Sequence, residues 1–184
     1  MPTVAVLQIP GVNCEYETAR SLEAVGLKAR IVRWNEPASV LSEFDAYVLP
    51  GGFAFQDRIR AGAVAAKLPA VERIATEAER GKPVLGICNG AQVLVEAGLV
   101  PGIRPGRVEM ALAPNENGRA GYDCRWVNVA AGPKATRSLI TCALPEGAVI
   151  PLPIAHAEGL FAARDESILS DLAEQVGLAT RFAD

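Results

Sequence analysis

Histidine occurs once in the 184 residues, at His156, and cysteine four times, at Cys14, Cys88, Cys124 and Cys142. No two of these thiols form a C-x-x-C pair, so neither a disulfide scaffold nor a tetrahedral zinc site fits, and no metal is expected. Scattered thiols in a reducing compartment are by default small hydrophobes. Aromatic residues are scarce at 5%, which leaves little stacking surface for single-stranded nucleic acid. Trp34 and Trp126 are accordingly expected to be packing residues. An excess of positive charge is also missing. Eighteen Lys and Arg stand against 21 Asp and Glu, for a formal net charge of -3, and no global field draws the chain to phosphate backbones or anionic membranes. No apolar run is long enough to span a bilayer. The opening MPTVAVLQIPG lacks a basic n-region and a small-residue cleavage site, so it reads as a first strand rather than a signal peptide. The expectation is a cytoplasmic protein with neither nucleic acid nor membrane as partner.

Half of the residues are apolar and 21% are charged, a globular composition at a length that can bury a core without staples. Without repeats or a long linker, the chain reads as one domain over residues 1–184. Thr3 to Ile9 is a β-branched apolar run followed by Pro10-Gly11 and by Asn13, an expected N-cap with Glu15 and Glu17 in the first turn and an end at Gly26. Leu27 to Val32 and Asp45 to Leu49 resume strand character, the latter stopping at Pro50-Gly51-Gly52. Pro69 opens a helix that ends at Gly81, and Pro83 to Ile87 is another apolar strand. Near-continuous apolar strands alternating with helices predict an α/β fold: a doubly wound, mostly parallel sheet covered by helices on both faces, with ligands beyond the carboxyl ends of its strands. From about Arg107 to Ala155, short apolar pieces broken by Asn, Gly and Pro, including Asn115-Glu116-Asn117-Gly118, predict a small antiparallel insertion. Ile168, Leu172 and Val176 predict a last helix, and Leu178 to Phe182 a strand left unfinished, from which a C-terminal truncation is expected.

The most informative segment is Pro83-Val84-Leu85-Gly86-Ile87-Cys88-Asn89-Gly90-Ala91-Gln92. It has the G-x-nucleophile-x-G form of a strand-to-helix elbow, whose glycines let the backbone turn sharply and present the central side chain. Cys88 then stands at a helix start, where unpaired amides and the dipole favour a thiolate, and the amide of Asn89 points towards an oxyanion. A tight turn holding a structural cysteine is the competing reading. Pro50-Gly51-Gly52-Phe53, at another strand end, supplies Gly52 as a second amide donor and weakens that competitor.

These residues resemble class I glutamine amidotransferases, and within them the branch that forms the glutaminase subunit of phosphoribosylformylglycinamidine synthase. The similarity runs through four segments in order: Pro10 to Cys14, PGGFAFQDRIRAGAVAA from Pro50, GKPVLGICNGAQVLVEAGLVPG from Gly81, and PIAHAEG from Pro153. The resemblance implies a flavodoxin-like amidotransferase domain and a glutaminase reaction through a Cys88 thioester. It also implies Gly52 and Asn89 as oxyanion amides, and Gln92 and Gly51 against the substrate. Glutamine is the implied substrate. A large synthetase subunit and a small bridging subunit are the implied partners, with ATP and magnesium on the synthetase and no cofactor here. The absence of a G-x-x-x-x-G-K loop is consistent with this.

The family's late His-Pro-Glu segment is not found in this sequence. His156-Ala157-Glu158 has the H-x-E spacing of a base and its orienting carboxylate, but its flanks match an earlier family segment. Three readings of His156 stand: triad base with Glu158, a role in the family-specific loop, or a structural histidine bonded to backbone. A non-catalytic module that keeps the fold is the alternative function. A chaperone- or deglycase-like elbow enzyme is disfavoured by Asn89, where that class carries histidine. Arg58 and Arg60 are expected on a solvated face.

Overall fold

The computed structural model describes residues 1–104, 106–115, 121–132, 138–172 and 180–183. Two compact units divide the chain, Met1–Val108 and Glu109–Asp184, and each is described by itself.

The first unit is built on four strands, β1 (Thr3–Gln8), β2 (Lys28–Arg33), β3 (Ala46–Leu49) and β4 (Val84–Gly86), in the order β2-β1-β3-β4. Every pairing is parallel. Three helices accompany them: α1 (Glu15–Ala24), α2 (Pro69–Glu79) and α3 (Asn89–Glu96). The chain runs from β1 out to β2 and then crosses to β3 on the opposite side of β1. Because parallel crossovers are right-handed, α1 covers one face and α2 the other, so the expected doubly wound sheet is present. Val4 to Leu7 of β1 are buried in succession, as a strand sandwiched between helices requires. Leu7, Val32, Leu49, Val71, Ile74 and Val93 form the centre of the core.

Element ends move by a residue or two. Helix α1 is capped by Cys14 rather than Asn13, with no side-chain cap bond. Pro69 opens α2 as expected, since a proline at the first helical position sacrifices no internal hydrogen bond.

The second unit is antiparallel. β5 (Met110–Pro114) pairs with β8 (Glu158–Ala163), while β6 (Asp123–Ala131) lies between β7 (Val149–His156) and β9 (Thr180–Ala183). The antiparallel part therefore extends past the expected Ala155 to Ala163 and takes in β9. The last helix, α4 (Glu166–Asp171), starts at Asp165, whose carboxylate accepts from the Ser167 amide at 3.1 Å. Residues 116–118, Val176 and Leu178 lie outside the described residues. Trp126 is 71% exposed on β6, contrary to its expected packing role: strand alternation puts it on the uncovered face. Trp34 does pack, edge-on to Phe55 at 6.2 Å. No helix among the described residues is long and apolar enough to cross a membrane.

Below the sheet, Glu77 of α2 is 1% exposed and bonds Arg73 at 2.7 Å, Arg80 at 2.9 Å and Lys82 at 2.8 Å. Lys82 also donates to the Ser42 carbonyl at 2.8 Å and to Tyr47 Oη at 3.4 Å, so one carboxylate joins α2 to β3 and to the 38–43 turn. The Lys82 ammonium, followed by the two arginines, holds the Glu77 carboxyl below its ordinary range. A depressed folded value means that the stabilisation is complete above the ordinary glutamate range and is lost as pH falls through the folded value. Glu77→Gln is expected to lower the Tm at pH 7, and its curve should converge on the wild type as pH drops through the carboxylate range. Parallel Tm curves from pH 7 to pH 3 would contradict this.

Candidate active site

Pairing of β3 with β4 sets Leu49 beside Gly86. The two glycine loops, Pro50-Gly51-Gly52 and Ile87-Cys88-Asn89, therefore leave the sheet side by side at the same end. The Ile87 amide donates to the Leu49 carbonyl at 3.0 Å, extending the ladder to the residue before the cysteine. Cys88 itself has φ 52° and ψ -114°, a conformation that strains any residue with a Cβ by about 1 to 3 kcal/mol. The neighbouring glycines are steric necessities. A Cβ on Gly90 would sit 1.9 Å from the Leu49 carbonyl oxygen, and one on Gly86 would sit 2.8 Å from Ala91 Cα. Helix α3 thus lies directly on the ends of β3 and β4, and the chain can enter it only through the sharp bend at Cys88.

That bend leaves the Cys88 side chain exposed. The amides of Gly90, Ala91 and Gln92 find acceptors within the turn, on Ile87 and Cys88. Asn89 occupies the first helical position, whose N–H has no acceptor within a helix.

The Pro10 to Asn13 segment holds the second loop. Phe53 N–H donates to Gly11 O at 2.8 Å, Phe55 N–H to Pro10 O at 2.8 Å and Asn13 N–H to Gly51 O at 3.3 Å, with an antiparallel bridge between Val12 and Gly52. Gly52 has φ +152°, and a Cβ there would lie 2.6 Å from Val12 Cα. A Cβ on Gly51 would meet Cys88 Cβ at 3.4 Å and Cys14 Sγ at 3.7 Å, so this glycine lies within packing distance of both cysteines. Burial, followed by Glu17, Cys88 and Glu15, pushes the Cys14 thiol up. Two clefts, of about 330 Å³ and 450 Å³, adjoin Pro10 and Gly11, and neither has Cys88 in its lining.

The Asn89 side chain makes contacts that sequence reasoning did not anticipate. It is 1% exposed and accepts from the Ala54 amide at 2.9 Å, while its Nδ2 donates to Asp57 Oδ1 at 3.0 Å and to Gln92 Oε1 at 2.9 Å. One carboxamide ties the elbow to the residues after Gly52. Burial raises the Asp57 carboxyl above its usual range, against a smaller opposing effect of the Asn89 bond. Arg60 is exposed, as expected of a solvated face, and also pairs with both oxygens of the buried Glu96 carboxylate, Nε to Oε1 at 2.6 Å. Arg58 is exposed and bonds Gln56. Spacing gives no sign of the Asn89 contacts with Ala54 and Asp57 or of the Arg60–Glu96 pair, because they join residues 32 to 36 positions apart.

His156 and Glu158 lie in the second unit, at the end of β7 and the start of β8. His156 Nδ1 lies 3.0 Å from Asn115 Oδ1, which also accepts from the Gly159 amide, while Asn115 Nδ2 donates to the His156 carbonyl. A Cβ on Gly159 would lie 2.1 Å from the imidazole, so the glycine of the PIAHAEG segment is where the ring packs. The partner of His156 is thus a side-chain amide, not the backbone group that the structural reading expected. Among the described residues no group of three or more His, Cys, Asp or Glu could hold a metal ion.

A parallel sheet that presents a cysteine at a strand-to-helix bend defines an α/β protein of the nucleophile-elbow class. The chain belongs to the CobB/CobQ-like glutamine amidotransferase domain family, whose model matches residues 1–184, in agreement with the resemblance carried by its four segments. It is 42% identical to the phosphoribosylformylglycinamidine synthase subunit PurQ of Methanothrix thermoacetophila, over 97% of this chain and 70% of that protein. With the same subunit of Pyrococcus furiosus the identity is 38%, over 100% of this chain and 77% of the relative. Among solved structures, PurLQS from Thermotoga maritima superposes with a TM-score of 0.81 at 31% identity, covering all of this chain and 75% of the matched one.

The elbow geometry generates one test. Gly90→Ala should destabilise the chain by about 3 kcal/mol or more, at or above the usual cost of overpacking, because the added methyl meets backbone that cannot rotate away. Urea denaturation would measure it, and a loss below 1 kcal/mol would mean that α3 does not rest on Leu49 as described.

Proposed function

We propose that this chain is the glutaminase subunit of a phosphoribosylformylglycinamidine synthase, supplying ammonia for de novo purine biosynthesis. Cys88 Sγ attacks the side-chain carbonyl of glutamine, and the amides of Gly52 and Asn89 receive the charge on the oxygen. The tetrahedral species expels ammonia once the nitrogen is protonated, leaving a glutamyl thioester that water hydrolyses to glutamate and free Cys88. Gln92 and Gly51 line the substrate's side of the elbow. The ammonia passes to a large synthetase subunit, where ATP and magnesium are handled, with a small bridging subunit in the assembly. The observation that carries this reading is the strained, exposed Cys88 beside the bare Gly51, in a chain whose PurQ-named relatives match nearly all of it.

A proton carrier is also needed, and His156 with Glu158 is the chain's own candidate. A specific observation favours the alternative, a module without turnover of its own: Nδ1 of the only histidine lies 3.0 Å from the Asn115 amide oxygen, where a triad base has its orienting carboxylate.

The isolated chain should therefore take up a glutamine-mimicking chloroketone at Cys88, with glutamine protecting, while releasing little ammonia from glutamine. Cys88→Ala should abolish labelling, and His156→Ala should leave the small release unchanged. Rapid ammonia release that disappears in His156→Ala would instead assign His156 as the base, and labelling that glutamine does not slow would remove the glutaminase reading.

A further inference from the structure

Resting on the reading of Cys88 as nucleophile, we infer that Asp57 is a positioning residue for the oxyanion hole, acting through the side chain of Asn89. The two proposed amide donors sit on different loops, one after β3 and one after β4. Only a rigid link between those loops fixes the distance between them. The buried Asn89 carboxamide is such a link, because its Oδ1 accepts from the Ala54 amide, two residues beyond Gly52. It can do so only while its other end faces acceptors, and Asp57 Oδ1 at 3.0 Å and Gln92 Oε1 at 2.9 Å provide them. Asp57, together with Gln92, thus sets which way the amide points.

The segment around Asp57 does not hold this geometry on its own. Phe55, Gln56, Asp57 and Ile59 all have φ between 51° and 73°, where residues with a Cβ are strained. Three contacts with α3 pin it: Asp57 on Asn89 at the first turn, Gly62 against the Gln92–Val93 peptide, where a Cβ would come within 2.6 Å, and Arg60 on Glu96 at the last residue. The segment thus runs beside α3 for the helix's whole length, and only the Asp57 contact touches the residue that follows the nucleophile.

The full chain can be tested with two probes for Cys88. The chloroketone analogue of glutamine reacts through a tetrahedral oxyanion and reads the hole; iodoacetamide alkylates the same sulfur without one. Asp57→Ala should lower kinact for the chloroketone by about 10- to 100-fold, as expected for donors displaced by about an ångström. KI should stay within about twofold, and the iodoacetamide rate should be nearly unchanged. Asp57→Asn, which keeps an oxygen that can accept from Asn89, should recover to within about threefold of the wild type. The inference is overturned if Asp57→Ala leaves kinact unchanged, if the Asn variant is as impaired as the Ala variant, or if both probes slow together. A wild-type chain that iodoacetamide modifies at Cys88 but the chloroketone does not would sink the glutaminase reading itself, a result distinct from the other three.

Discussion

The contact between Gly90 and the Leu49 carbonyl governs the rest of the first unit. Helix α3 can rest on the end of β3 only because position 90 has no Cβ, and that close approach leaves one path from β4 into the helix. The path requires a left-handed residue at position 88, in a region that a residue with a side chain enters at a cost. The cost is borne because both flanks are fixed: Gly86 is hydrogen-bonded into the sheet, and the Gly90, Ala91 and Gln92 amides are already bonded in the first turn. Exposure of the Cys88 thiol follows from this packing rather than from any local preference of cysteine.

A second layer of organisation concerns the loop after β3. Its glycines let it approach both the Pro10 to Asn13 segment and Cys88, and backbone hydrogen bonds lock it to the former. The Asn89 carboxamide locks it to the elbow. The parallel register of β3 and β4 brings two loops together that are about 35 residues apart in sequence, and a single buried side chain then connects them. Chemistry that needs two donors at a set separation depends on that connection more than on any property of the donors. At the other end of the sheet, the Glu77 cluster joins α2 to β3 and to the 38–43 turn, holding the strand whose far end carries the glycine loop.

The strands of the first unit were legible as continuous apolar runs because both faces of a parallel sheet are covered, and α2 because Pro69 and Gly81 mark its ends. The elbow was legible because few uses of G-x-C-x-G between a strand and a helix call for both glycines. The partners of Asp57 and Arg60 were not: a left-handed segment lays these side chains against Asn89 and Glu96, which are distant in sequence. Nor was Asn115 legible as the partner of His156, since the bond closes across 41 residues, from just after β5 to the end of β7. Trp126 misled because an aromatic on a strand of a small antiparallel sheet can face outward, and composition does not say which face is covered.

By itself the sequence determined the alternation of strand and helix, the bend at Cys88 and the family, because these rest on local backbone preference and on the steric demands of glycine and proline. Only the tertiary structure decided which polar groups support that bend, how the two glycine loops are coupled and what holds the histidine. Those depend on strand register and on contacts between distant residues, and local spacing carries no record of either.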